Sequence, residues 1–439
     1  MSTSRILTQD IHDHIGETIT IQGWLHKKRL MGGLSFITLR DRKGLAQTKV
    51  ENKDELEKLR GMQTGTVLAL TGTVVADERA PGGAELHDVV VEVLVPVEYE
   101  SPIEIDKPLD HKSENLDTLF EHRVLGLRNL QETAVFKIQA AVKEAARVYL
   151  RGEDFTEFNS PKLLPGATEG GAEVFSLDYF GKEATLAQSA QFYKQILVGV
   201  FERAFEIGAT YRAEPSATTR HMTEFLQIDA EMGFADFNEL LNVVGGLIHA
   251  VTKSVWETNE TDLKKWNAQP VVLSESIPRL ALEEVHELYS KATGENSRGE
   301  KDMRPDEERW VTEYAKKNLG SEAVFITEWP ASEMKFYHRK STDNPELAER
   351  ADLIFRGVEI ATISMRENRY DVLVEQLRTI AGGNPDDEGF KYYLQAFKYG
   401  LPTHGGFGMG LERLTQKIIG LSNVKEAALF PRDINRLGP

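Results

Sequence analysis

The chain has 439 residues, a formal net charge of −17 and no cysteine. That length allows two or three domains with a large core, and the missing cysteine excludes a disulfide scaffold, a thiol nucleophile and a thiolate zinc site. The opening residues MSTSRILTQDIHD lack the basic-then-apolar build of a signal peptide, and no apolar run is long enough to span a bilayer, so a soluble cytoplasmic protein with no membrane partner is expected.

Five short β patterns come first, at residues 18–26, 34–40, 45–50, 66–75 and 85–97, with a helical pattern at 53–60 between the third and fourth. This is the element order of an OB-fold β-barrel, whose exposed face takes single-stranded nucleic acid. The overall negative charge argues against a polyanionic partner. Residues 23–49, however, hold Lys27, Lys28, Arg29, Arg40, Arg42, Lys43 and Lys49 against the single acid Asp41. Such a basic segment is either a solvated face or a nucleic-acid footprint. In the second case Trp24, His26 and Phe36 would supply stacking surfaces, although at least one of Trp24 and Phe36 is expected in the barrel core.

A polar, proline-bearing stretch from Ser101 through Pro108 to about Arg123 reads as a linker or hinge. The expected organisation is a barrel domain over residues 1–104, a hinge over 105–130 and a larger domain over 131–439. In the last, residues 132–150 form an amphipathic helical pattern. Strand patterns at 204–213, 223–234, 324–329, 352–363 and 405–409 predict a mostly antiparallel sheet flanked by helices, an α+β architecture.

Four segments carry candidate chemistry. Residues 405–414, GGFGMGLERL, place glycines where a backbone can approach a flat or anionic ligand, followed by Arg413. The segment is neither a Walker loop nor a dinucleotide fingerprint, and a tightly packed glycine strand is its plain alternative. Arg212 and Glu214 close one strand and Arg220 with His221 opens the next, a hairpin mouth suited to a triphosphate and its metal. Glu359, in an otherwise apolar strand, is either a magnesium ligand with Thr362 beside it or half of a buried ion pair. Residues 188–195, QSAQFYKQ, open a helix rich in polar side chains. There Lys194, with Arg366, would make a cationic pocket for a carboxylate, while the acidic loop 168–173 is suited to closing over an ammonium group.

Together these residues resemble a known family. Segments 155–161, 211–225 with Glu231, and 405–414 look like motifs 1, 2 and 3 of class II aminoacyl-tRNA synthetases. The N-terminal OB-fold is similar to that of the IIb subclass specific for aspartate, asparagine or lysine. TEGG, QSAQFYKQ, HMTEF and the ending FPRDINRLGP resemble aspartyl-tRNA synthetases of the short archaeal type.

The resemblance implies ATP-dependent activation of L-aspartate and its transfer to tRNA, with ATP and Mg2+ as cofactors. It implies that Arg212, Glu214 and Arg413 are catalytic, and that Ala213, Arg220, His221, Met222, Glu359, Gly410, Leu411 and Glu412 join them around ATP. Glu359 and Thr362 would hold magnesium. Glu169, Gln191, Phe192, Tyr193, Lys194, Arg212, Thr362 and Arg366 would receive aspartate, and Pro161 would lie at a homodimer interface. His26, Phe36 and Pro81 would meet the anticodon. Histidine at 26 and proline at 81 resemble the relaxed enzymes that charge both tRNA(Asp) and tRNA(Asn), the latter product feeding a tRNA-dependent amidotransferase.

Two places depart from the family pattern. After Glu359 stands Ala361-Thr-Ile-Ser-Met-Arg366, where Ile363 and Met365 replace residues expected to line or support the amino-acid pocket, and Pro215-Ser-Ala217 replaces a more polar motif 2 loop. Two rivals keep the fold: an aspartate-activating paralogue with a non-tRNA acceptor, resembling asparagine synthetases or amino-acid ligases, and a non-catalytic RNA-binding relative.

Overall fold

Strands Thr18–Leu30, Ser35–Arg40, Leu45–Val50, Val67–Ala76 and Ala84–Val95 close into a barrel in the order 1-2-3-5-4. The structure, a computed structural model, describes residues 5–31, 35–109, 116–167 and 173–438. The chain divides into two compact units, residues 1–133 and 134–439. In the first, alternating apolar residues such as Ile19, Ile21, Ile37 and Leu39 fill the barrel. Neither Trp24 nor Phe36 joins them, contrary to expectation. Both occupy outward positions of the alternation, Trp24 is 36% exposed, and the Arg40 guanidinium lies 5.0 Å from its ring centroid.

Register passes from Leu25 opposite Leu39 to Lys27 opposite Thr38, so His26 is the extra residue of a bulge. The bulge leaves His26 buried, and burial, reinforced by Arg40, holds its imidazole below the ordinary value. Pro81 begins a one-turn 3-10 segment, Pro81–Gly83, and is exposed.

Helix Lys53–Arg60 starts on Asn52, whose side chain accepts from the amides of Asp54 and Glu55. It ends on Lys28, whose Nζ donates to the carbonyls of Leu59, Arg60 and Met62 at 3.2, 2.9 and 2.5 Å. A helix end leaves such carbonyls without intrahelical partners, and an ammonium there is favoured by the helix dipole. Lys28 is therefore occupied structurally, and Lys49 pairs with Glu51 at 2.9 Å, so the basic segment presents less free charge than its composition suggests. The stretch read as a linker contains the short helices Leu116–Glu121 and Arg123–Gly126 and a small apolar cluster of Ile103, Ile105, Leu109 and Leu119. Buried Arg123 also pairs with Glu132 at 2.7 Å, so the described residues of this stretch are packed rather than an open spacer.

The second unit is built on an eight-stranded sheet: Arg279–Ala281, Ala323–Thr327, Arg350–Phe355, Val358–Met365, His404–Gly410, Glu224–Gly233, Arg203–Tyr211 and Thr156–Glu157. The six inner strands run antiparallel, and the outermost strand on each side adds in parallel. Helices Leu130–Gly152 and Phe237–Lys264 send apolar stripes, including Val142, Leu247 and Val251, into a core shared with Phe205, Phe325 and Phe407 of the sheet. The single strand expected over 352–363 is two strands of a hairpin. Arg356 and Gly357 turn the chain with φ of 45° and 81°, the left-handed pair that two-residue hairpins require. Arg356 is held there by bonds to the carbonyls of Gln269, Pro270 and Lys417 and by an ion pair with Glu322.

Candidate active site

The core of the site is the middle strand, His404–Gly410. Its alternate residues Phe407 and Met409 point into the apolar core, so Gly406, Gly408 and Gly410 face the other way. Gly406 lies between Glu231 and Ser364, and Gly408 between Asp229 and Thr362. With hydrogen in place of side chains there, the polar rows of both flanking strands meet across the strip. A Cβ at 406 would overlap Glu231 Oε2 and the Ala230 carbonyl, and one at 408 would overlap the Gln227 amide. The glycines thus make room first for neighbouring side chains. Above them opens a cavity of about 400 Å³.

Lys194 and Arg366 line one end of this cavity. Helix Gln191–Phe201 carries Lys194, whose Nζ donates to Asp229 Oδ1 and the Phe407 carbonyl, both at 2.8 Å. Arg366 donates to Glu231 at 2.7 and 3.1 Å and to Ser364 Oγ. Both cations are almost wholly buried and matched by carboxylates. Tyr337, 5.5 Å from the Arg366 guanidinium, and His338 complete the wall. Burial and the nearby Arg366 and Arg350 drive the His338 imidazole well below its ordinary value, so it is neutral near pH 7.

Arg212, Glu214, Arg220, His221, Met222, Arg413 and Glu359 gather towards the other end. Arg413 donates to the Glu359 carbonyl at 2.9 Å and the Arg220 carbonyl at 3.4 Å. His221 Nδ1 lies 2.8 Å from Thr218 Oγ1, and burial with Arg413 lowers its pKa. Glu214 accepts from the Ser216 amide within the exposed motif 2 loop.

Glu359 and Thr362 should face opposite sides of a regular strand, being three residues apart. A bulge removes the conflict: Ile354 pairs with Glu359 and Leu353 with Ala361, leaving Ile360 extra. The Thr362 hydroxyl consequently reaches Glu359 Oε1 at 2.9 Å. Opposite Thr362 stands buried Asp352, its carboxyl raised to about 7 by burial against the pull of Arg350. Glu359, by contrast, is held below its ordinary value by Arg413 and Arg350 despite desolvation. Among the described residues no group of three or more His, Cys, Asp or Glu could form a metal cage. The Glu359 carboxylate and the Thr362 hydroxyl on the cavity wall nonetheless suit magnesium, which keeps waters and substrate phosphates as its remaining ligands, whereas Asp352 lies off the wall, paired with Arg350 at 2.7 Å.

Several expected site residues stand elsewhere. Phe192 stacks on Tyr393 with centroids 4.1 Å apart in an aromatic cluster, and Leu411 lies in the apolar core. Tyr193 is half-buried outside the cavity wall, and Ala213 sits beside Glu173 through a 3.0 Å backbone bond. Glu412 reaches the wall but turns both carboxylate oxygens onto the Leu226 amide. Glu169 and most of its loop lie outside the described residues. Ile363 and Met365 do not line the pocket, because alternation sends them into the core, whereas Ser364 faces Arg366. Gln227, Asp229, Arg350 and Asp352 were not singled out from the sequence. Their signal was polar residues at every second position of apolar strands, Gln227-Asp229-Glu231 and Arg350-Asp352.

The sequence comparisons agree with this construction. Residues 19–96 match the OB-fold nucleic acid binding domain, and residues 115–434 match the tRNA synthetases class II (D, K and N). The chain belongs to that class II synthetase family. It is 39% identical to the aspartate–tRNA(Asp/Asn) ligase of Thermus thermophilus, over 99% of this chain and 100% of the relative. It is 38% identical to the aspartate–tRNA(Asp) ligase of Pyrococcus abyssi, over 97% of each. The crystal structure of asparaginyl-tRNA synthetase from Pyrococcus horikoshii with asparaginyl-adenylate superimposes over the full length of both chains with a TM-score of 0.92 at 29% identity. No helix among the described residues is long and apolar enough to cross a membrane.

Proposed function

We propose that this enzyme activates L-aspartate with ATP to aspartyl-adenylate and transfers the aspartyl group to tRNA(Asp) and to tRNA(Asn). End-to-end similarity to ligases named for both tRNAs supports that reading. The observation that carries the amino-acid assignment is one cavity with Lys194 and Arg366 at one end and Arg212, Arg413 and Glu359 at the other.

In this reading Lys194 and Arg366 receive the side-chain carboxylate, with Gln191 at their side and Glu169 taking the ammonium group. An ionised carboxylate between two fixed cations is told from an amide more sharply than shape alone allows. Arg212 neutralises charge gathering on the α-phosphate. Glu214, Arg220, neutral His221 and Met222 line the phosphates, and Gly410 with Arg413 takes the adenine. Glu359 and Thr362 would hold magnesium, which when bound would supply positive charge to the phosphate oxygens. The α-carboxylate of aspartate attacks the α-phosphorus in line and the bond to pyrophosphate breaks; the terminal ribose hydroxyl of tRNA then attacks the activated carbonyl carbon, losing its proton as AMP leaves. No enzyme group becomes covalently attached, so positioning and charge neutralisation carry the rate.

The outer face of the barrel, where Trp24, Arg29, Phe36 and Arg40 are interleaved, takes the anticodon, with His26 and the Pro81 turn setting tolerance for its last base. We further read the protein as a cytoplasmic homodimer with Pro161 at its interface, supplying Asp-tRNA(Asn) to an amidotransferase. Side-by-side aspartylation of tRNA(Asp) and tRNA(Asn) transcripts tests the assignment. Charging of both is expected, and charging of tRNA(Asp) alone would overturn the dual specificity.

A further inference from the structure

Behind the phosphate end of the cavity lies a carboxylate that the reaction as described does not use. Glu308 sits in the first turn of helix Pro305–Leu319 and is 9% exposed. Its Oε2 accepts from the Arg220 guanidinium and from the Glu359 amide, the latter at 3.1 Å. One oxygen thus joins the arginine on the motif 2 side to the strand that carries the magnesium candidate. Burial raises the Glu308 carboxyl above its ordinary value, while Arg220 pulls it back.

The helix is itself fixed against that strand. Thr312, one turn further on, accepts from the Gly357 amide at 3.0 Å and donates to the Glu308 carbonyl. Arg220 is less well fixed on its own. It follows the exposed residues 215–217, and its buried Nε has no hydrogen-bond partner among the described residues. A long side chain on a loop has many rotamers to lose on binding a phosphate, and an ion pair to a rigid helix removes that loss beforehand.

We infer that Glu308 is a positioning residue for ATP: it holds Arg220 against the cavity wall beside Arg413 and ties that arginine to the strand bearing Glu359. Glu308 is not on the cavity wall, so it acts through Arg220. This inference rests on the synthetase reading above.

The test is aspartate-dependent ATP–pyrophosphate exchange by the wild type and by Glu308→Gln, Glu308→Asp, Arg220→Ala and the double variant Glu308→Gln/Arg220→Ala. Losing a charged hydrogen bond to a ligand-facing arginine is expected to raise the KM for ATP about tenfold or more, with the KM for aspartate changing less than about threefold. Glu308→Asp should recover part of the loss, and circular dichroism should show both single Glu308 variants folded. The double variant should be no worse than Arg220→Ala alone, because both changes remove one coupled unit. Effects that multiply in the double variant, or equal rises in both KM values, would overturn the positioning role. So would an unchanged KM for ATP. A wild type without aspartate-dependent exchange would instead defeat the functional reading, which keeps the two failures apart.

Discussion

Alanine at Gly406 and at Gly408 should have opposite kinds of effect, although the two residues are two apart on one strand. A methyl group at 406 overlaps the Ala230 carbonyl, and Ala230 is paired on both sides, with Phe205 and Phe407. That backbone has nowhere to go. The same methyl overlaps Glu231 Oε2 and pushes the carboxylate off Arg366, to which it is bonded at 2.7 and 3.1 Å. Overpacking a rigid site costs about 1–3 kcal/mol. Breaking a buried ion pair costs about 3–5 kcal/mol. Since the two act on one cluster they will not add fully, so a loss of about 4 kcal/mol is expected, a large share of the 5–15 kcal/mol typical of a folded domain.

At 408 the overlap is with the end of the Gln227 side chain, and the next atoms lie at 3.2 and 3.4 Å. An amide can swing aside, so Gly408→Ala should lose only about 1 kcal/mol. The displaced amide, however, enters the cavity and should raise the KM for aspartate or ATP. Urea unfolding followed by tryptophan fluorescence suits the comparison, because Trp256, Trp266, Trp310 and Trp329 lie in the second unit and only Trp24 in the first. A Gly406→Ala protein within about 1 kcal/mol of wild type, or a larger loss in Gly408→Ala, would falsify the reasoning.

Three further outcomes are expected. Lys194→Leu should sharply lower aspartate-dependent exchange and also destabilise the fold, since it removes the ammonium bonded to buried Asp229; near-normal exchange would sink the amino-acid assignment. Thr362→Val removes the hydroxyl bonded to Glu359 and should raise the magnesium concentration needed for half-maximal exchange several-fold, at about 1 kcal/mol of stability; an unchanged magnesium profile would count against this site. Glu412 has its carboxyl raised to about 7 by burial, so the folded state holds a proton that the unfolded chain releases near 4.5. Its contribution is complete below about 4.5 and lost as pH rises through about 7, roughly 3 kcal/mol in all. Glu412→Gln should therefore gain stability relative to wild type between pH 5 and 8, and a pH-independent difference in melting temperature would contradict the burial argument.

Much of this molecule could be read from its sequence wherever local pattern and tertiary role agree. The barrel strands and helix Lys53–Arg60 follow from alternation and capping, and the residues at both ends of the cavity follow from charged groups in apolar surroundings. What could not be read depends on departures from regular period. One-residue bulges decide that His26 is buried and that Glu359 shares a face with Thr362, and no propensity marks either. The hairpin at Arg356 was hidden because arginine rarely takes positive φ, and here many long-range bonds hold it. Phe192 and Leu411 show the limit of carrying a motif over whole. Neighbours on a helix point in different directions, so a segment that touches the cavity also sends residues into the core.

The strip at Gly406, Gly408 and Gly410 has a consequence for how such a site can change. Its central strand presents no side chains to the cavity at 406, 408 and 410, so the side chains that recognise a ligand there come from the strands, loops and helices alongside. The division of labour is spatial. Replacement of Gln227, which lines the cavity, would change the chemistry above the strip, while the backbone beneath, left open by the hydrogens of Gly406 and Gly408, stays in place. The strip is a blank stage for neighbouring residues, and a family can explore different amino acids on it without rebuilding the sheet beneath.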